Sequence, residues 1–119
     1  MLPKNNRIRK KKDFEKIFKN SKNFKNSIFI LKAVKNDLGL NRFGFVISQK
    51  VSKKAVVRNK VRRRLTEIMK IEINNIFLGT QIKNGVDLVL IGLPGIEKKE
   101  FFEMKEAIRE ALIKTKLVE

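Results

Sequence analysis

At 119 residues the chain is the size of one domain, and 29 Lys plus Arg against 12 Asp plus Glu give a formal charge of +17 at pH 7. It has no Cys and no His, which excludes disulfides, thiol nucleophiles and thiolate zinc sites, and removes the commonest general base and metal ligand. No apolar run approaches the ~18 residues of a membrane span, and the opening residues have no apolar signal core, so a cytoplasmic protein with a polyanionic partner is expected.

The charge is unevenly placed. Residues 1–12 hold six basic side chains and no acid, and residues 50–64 hold eight and no acid, whereas residues 65–119 hold eight basic against nine acidic. A surface shaped only for solubility mixes signs, so the polarity predicts a basic footprint on one side of the fold. Arg7, Arg9, Lys10, Lys11 and Lys12 form a basic N-terminal arm. Residues 13–18 then read as a short helix, with Phe14, Ile17 and Phe18 on one face by the i, i+3, i+4 rule. Residues 20–26 are polar enough for a turn. Residues 28–34 are β-branched and aromatic, which suits a strand, and end at the turn-forming run Asn36, Asp37, Leu38, Gly39. A second strand at 42–48 would pair with the first as an antiparallel hairpin, with Phe43, Phe45 and Ile47 on one side and Gly44, Val46 and Ser48 on the other.

Between residues 54 and 77 the period becomes helical: Val57, Val61, Leu65 and Ile68 fall in one arc. Residues 79–85 form a loop, 86–91 a nearly continuous apolar run typical of a central strand, and 97–116 a charge-balanced packing helix to which Phe101 and Phe102 are assigned. With no linker or internal repeat to divide it, the chain is expected to be one α+β domain, a sheet with helices packed on it.

The helix from residue 54 carries the strongest functional signal. Opposite its apolar arc lie Arg58, Asn59, Arg62 and Arg63, with Lys60 and Arg64 flanking the other edge and Lys50, Lys53 and Lys54 just before it. Basic residues at a helix N-terminus oppose the helix dipole by a few tenths of a kcal/mol each. The arrangement makes sense where phosphates approach free backbone N–H groups and guanidinium forks together. Asn59 can bond a phosphate, a base edge or metal-bound water.

The run Arg42, Phe43, Gly44, Phe45, Val46, Ile47, Ser48, Gln49, Lys50, followed by Ala55, Val56, Val57, Arg58, Asn59, Lys60, Val61, Arg62, Arg63, Arg64, Leu65, resembles the motif of the bacterial ribonuclease P protein component, an Arg-Asn-Arg helix preceded by Ala-Val. Asp13-Phe14, Ile17-Phe18 and the strand from Asp87 extend the likeness over almost the whole chain. Lys60 stands at the third motif position, Lys53 where Gly is usual, Thr66 where a further Arg is common, and Lys32 where some relatives carry an aromatic.

The resemblance implies a single-domain α/β sandwich with about four strands, like domain 2 of ribosomal protein S5. It also implies a subunit that joins a catalytic RNA and assists Mg²⁺-dependent, endonucleolytic removal of the 5′ leader from precursor tRNA, with the chemistry in the RNA and no catalytic or metal-ligating residue in the chain. Lys50, Lys53, Lys54, Arg58, Asn59, Lys60, Arg62 and Arg63 would then meet the RNA, and Phe14, Phe18, Ile30 and Lys32 would line a cleft for the single-stranded leader. The Phe pair has two readings, as core by its spacing or as a stacking platform for bases. Asp13, Asp37 and Asp87 read as turn, cap or surface residues. Two other readings are a structural or ribosomal RNA-binding protein and a metal-dependent nuclease acting alone; the second requires clustered acids, which the sequence does not display.

Overall fold

The computed structural model describes residues 7–8, 10–20, 22–36, 41–73 and 85–114. In chain order they form helix α1 (Lys11–Asn20), strands β1 (Lys22–Lys25), β2 (Phe29–Lys35) and β3 (Arg42–Val46), helix α2 (Ala55–Ile73), strand β4 (Val86–Gly92), a 3₁₀ turn (Ile96–Lys98) and helix α3 (Phe101–Lys114). The strands make one sheet in the order β1-β2-β4-β3, which is the four-stranded α+β architecture expected.

Its topology corrects the expected hairpin. β2 and β3 do not pair. β4 lies between them, antiparallel to β2 and parallel to β3. The reason lies in the residues of β4: Val86, Leu88, Val89 and Leu90 are all buried, and a strand apolar on both faces belongs at the centre of a sheet. A parallel pair also needs a long crossover, and α2 is the helix that carries the chain from β3 to β4. The expected polar turn at 20–26 is corrected as well, because residues 22–25 pair with β2. The true turn is shorter: the Asn26 side-chain oxygen accepts from the N–H groups of Ile28 and Phe29, both at 2.8 Å. A short, lysine-bearing edge strand is a common protection against unwanted pairing.

Strand alternation divides the interior in two. Phe29, Leu31 and Ala33 of β2 and Phe43 of β3 point with Ile47 into the main core, where Val61, Leu65, Ile68 and Met69 of α2 and Met104, Ile108 and Leu112 of α3 close over them. On the other face Ile17 of α1 packs with Ile8 and Val89, flanked by Phe14, Val34, Val46 and Ile91. The predicted sidedness of Phe43, Phe45 and Ile47 against Val46 holds, as does the apolar arc of α2. Phe101 and Phe102 are corrected: Met104, Ile108, Ala111 and Leu112 supply the packing face of α3, and Phe102 is 66% exposed. Among the described residues, no helix is long and apolar enough to cross a membrane.

Candidate nucleic-acid interface

Cross-strand register shows how α1 sits on its sheet face. Directly paired residues share a face, so Lys32, Val89 and Gly44 form one row across β2, β4 and β3. α1 crosses this row: Phe14 lies against Gly44, Ile17 packs on Val89, and Phe18 reaches Lys32. The next row toward the helix N-terminus holds Val34, Asp87 and Arg42; the row on the other side holds Ile30, Ile91 and Val46, all half-buried.

Of the expected cleft residues, Phe18 is 46% exposed and Phe14 half-buried, their ring centres 6.4 Å apart. The Lys32 ammonium stands 5.9 Å from the Phe18 ring centre and donates to Asn23 Oδ1 at 3.1 Å. The structure therefore divides the pair. Phe14 is largely a packing residue, while Phe18 offers an aromatic surface with a cation beside it. Ile30 shares its sheet row with Ile91 and Val46, a consequence of strand order that the sequence concealed.

The basic side chains are carried by α2 and the loop before it. Val51 is buried and anchors the loop. Two serine turns shape it, Ser48 Oγ accepting from Lys50 N–H and Ser52 Oγ from Lys54 N–H, both at 3.2 Å. Lys50, Lys53 and Lys54 all project to solvent. No acid occupies the first turn of α2, so its partial positive charge is not offset there. Arg58 folds back to donate to the Ser52 carbonyl at 2.9 Å.

Arg62 donates to Asn59 Oδ1 at 2.8 Å and to the Ile47 carbonyl at 3.2 Å. Because guanidinium only donates, it takes the Asn59 oxygen and leaves the NH₂ of this exposed side chain as its donor edge. That edge suits phosphate oxygens or base acceptors rather than direct contact with a cation. Lys60 and Arg63 are exposed. Thr66 donates to the Arg62 carbonyl at 2.8 Å, and Arg64 to the Lys99 carbonyl at 3.2 Å, which ties α2 to the segment before α3.

Between α1 and α2 runs a cleft of about 720 Å³, lined among others by Arg7, Phe14, Gly44, Asn59, Arg62 and Arg63; of the four expected leader-cleft residues it takes in Phe14, while Phe18, Ile30 and Lys32 lie outside its lining. It brings part of the arm, the first helix and the basic helix together. Arg7 bridges to Phe43 at the β3 edge, where Ile8 N–H donates to the Phe43 carbonyl at 2.8 Å. Lys10 caps α1 through its carbonyl, and Lys11 and Lys12, expected in the arm, open the helix itself. Arg9 lies outside the described residues, as does Asp37.

Among the aspartates one expectation is overturned, that for Asp87. Asp87 is no surface or turn residue; its side chain is 6% exposed in the central strand. Arg42 grips it with Nε on Oδ1 at 2.8 Å and Nη2 on Oδ2 at 2.6 Å, and reaches Asp13 with Nη1 at 3.2 Å. Asn36 also donates to Asp87 Oδ1 at 2.7 Å. Arg42 is held protonated more firmly than usual, foremost by the hydrogen bonds to Asp87; burial opposes this, and the charges of Asp87 and Asp13 add to it.

A small α+β domain with a basic helix end, a lysine-bearing loop and a half-exposed aromatic beside a cation has the surface of a polyanion-binding protein. The ribonuclease P family model matches residues 2–116. The ribonuclease P protein component of Thermoanaerobacter sp. (strain X514) is 33% identical over 111 residues, covering 93% of this chain and 90% of that protein. That of Caldanaerobacter subterraneus subsp. tengcongensis is 31% identical over 119 residues, covering 100% and 97%. Among solved structures, the Thermotoga maritima RNase P protein superposes with a TM-score of 0.74 at 30% identity, over 89% of this chain and 94% of that one. The Staphylococcus aureus RNase P protein gives 0.81 at 24%, over 94% and 96%, a likeness of fold. The chain belongs to the ribonuclease P protein family, and its role is that of a ribonuclease P subunit in tRNA processing, with an RNA partner in the ribonucleoprotein.

Proposed function

We propose that two surfaces of the chain serve two RNAs. The loop and helix presenting Lys50, Lys53, Lys54, Arg58, Asn59, Lys60, Arg62 and Arg63 bind the catalytic RNA. The sheet face beside α1, where Phe18 stands by Lys32 and Ile30 follows on the same side of β2, receives the single-stranded 5′ leader of precursor tRNA. The arm residues Arg7 and Lys10 extend the basic field between them. Catalysis belongs to the RNA subunit and its Mg²⁺ ions in the cytoplasm, while the protein raises the affinity for precursor and lowers the Mg²⁺ required by adding fixed cations near the phosphates.

The observation that carries this reading is the segregation of residue types. Exposed cations with no acidic neighbour in the first turn gather on α2, while the acids of α3 are paired locally, Glu110 with Lys114 inside the helix and Glu103 with Lys99 just before it. Asp13 and Asp87, acids that a nuclease acting alone would need as ligands, are both spent on Arg42. The test is reconstitution: purified protein, the catalytic RNA and a precursor tRNA at limiting Mg²⁺. Cleavage above that of the RNA alone supports the assignment, and an unchanged rate refutes it.

A further inference from the structure

We infer that Asp13 and Arg42 are positioning residues for the leader-binding sheet face: through Arg42, the buried Asp87 fixes where the first turn of α1 lands on the sheet, and so where Phe18 stands. This rests on the leader reading above. Three observations lead to it.

First, among the described residues α1 meets the sheet through a few side chains, chiefly Phe14, Ile17 and Phe18. It is 10 residues long, too short to be stable alone in water. Among its described side chains Ile17 is the one fully buried, with Phe14 half-buried. Apolar burial is non-directional, so beyond the seating of the Phe14 ring on Gly44 these contacts fix the roll of the helix less firmly than a directional bond does.

Second, the ionic group is directional and already rigid. Two of its bonds lock the guanidinium onto Asp87, in the same sheet row as Arg42. The fork geometry then aims the third donor at Asp13, in the first turn of α1, at 3.2 Å. A Lys at position 42 would keep the charge but lose the rigid planar fork that fixes one carboxylate relative to the other, since the three donors of an ammonium rotate freely on a flexible stem.

Third, the group is costly where it stands. A carboxylate buried in the central strand is seldom better for stability than an apolar residue of similar volume, and fixing a unique arrangement is the best-attested benefit of such pairs. Here the arrangement it fixes is the helix that carries Phe18, five residues past Asp13 on the same helix.

The experiment uses the full chain as wild type, Asp13→Ala and Arg42→Lys, the first leaving the Arg42–Asp87 pair intact. Each is assembled with the catalytic RNA, and affinity is measured for precursors with a one-nucleotide and a long leader. NMR contacts between the Phe14 ring and the Gly44 α-protons report the seating of α1. In the variants the gain in affinity from the long leader is expected to shrink by about fivefold or more. Affinity for the catalytic RNA should stay within about twofold, and the Phe14 to Gly44 contacts should weaken. Asp13→Asn, which keeps an acceptor oxygen, should restore part of the gain. A merely structural role would lower catalytic-RNA binding and leader binding together, and that result overturns the inference. So does an undiminished leader gain in both variants. If the wild type itself gains nothing from a long leader, the leader reading fails first and the inference with it.

Discussion

The ring of Phe14 lies so close over Gly44 that a Cβ there would stand 2.9 Å from Phe14 Cε1 and 3.4 Å from Ile8 Cβ. No side chain fits between the helix and the strand at this point. Gly44→Ala should therefore displace the Phe14 ring rather than unfold the sheet, at a cost of about 1–3 kcal/mol, the range for inserting a methyl into a packed interior. Urea denaturation measures the cost. Combining it with Phe14→Leu, which removes the far edge of the ring, should recover most of the loss.

Arg42 and Asp87 form the ionic centre of the α1 face. Arg42→Ala leaves a carboxylate with 6% exposure without its counter-charge, a loss of about 3–5 kcal/mol. The double change Arg42→Met with Asp87→Leu should be far less harmful than Arg42→Ala alone, because the desolvation cost disappears with the charges. Thermal or urea unfolding of the set checks the ordering, and a double variant as unstable as the single would mean that the pair itself stabilises the fold.

Neighbouring residues of α1 should separate stability from binding. Ile17 is fully buried, so Ile17→Ala should cost about 2–5 kcal/mol of stability. Phe18 is nearly half exposed, so Phe18→Ala should change stability by no more than about 1 kcal/mol. It should nevertheless weaken binding of a long-leader precursor by about 1–3 kcal/mol, the loss of one aromatic stack. Equilibrium unfolding and precursor titration on the same two variants give both readings.

Much of this was legible in the residues. The periodicity of Val57, Val61, Leu65 and Ile68 located the core face of α2, and by exclusion its basic face. The unbroken apolar run of β4 announced a central strand. What could not be read was which strands flank it, because alternation within a strand says nothing of its neighbours; hence the mistaken hairpin, and the unforeseen row of Ile30, Ile91 and Val46. Asp87 was misread for a related reason. A carboxylate inside an apolar run signals a buried partner, but the partner, Arg42, lies 45 residues away in sequence. Phe102 was misassigned because one helical face was already filled by Met104, Ile108 and Leu112, leaving no core for it.

On α2 the prediction concerns salt. Affinity for the catalytic RNA should fall steeply with ionic strength as counterions are released. Arg63→Ala, at an exposed position outside the internal hydrogen bonds of Arg62, should lower the slope of log affinity against log salt by about one unit. An unchanged slope would place Arg63 off the interface.

The central claim is that α2 faces the catalytic RNA while α1 faces the leader. Because the chain has no cysteine, a single introduced thiol can carry an RNA-cleaving iron chelate at one chosen place. Probes at Lys60→Cys on α2 and at Lys19→Cys beside Phe18 would be assembled with catalytic RNA and precursor tRNA, and the cut strands mapped. The account predicts cuts in the catalytic RNA from position 60 and in the 5′ leader from position 19; leader cuts from position 60, or none in the leader from position 19, would contradict it.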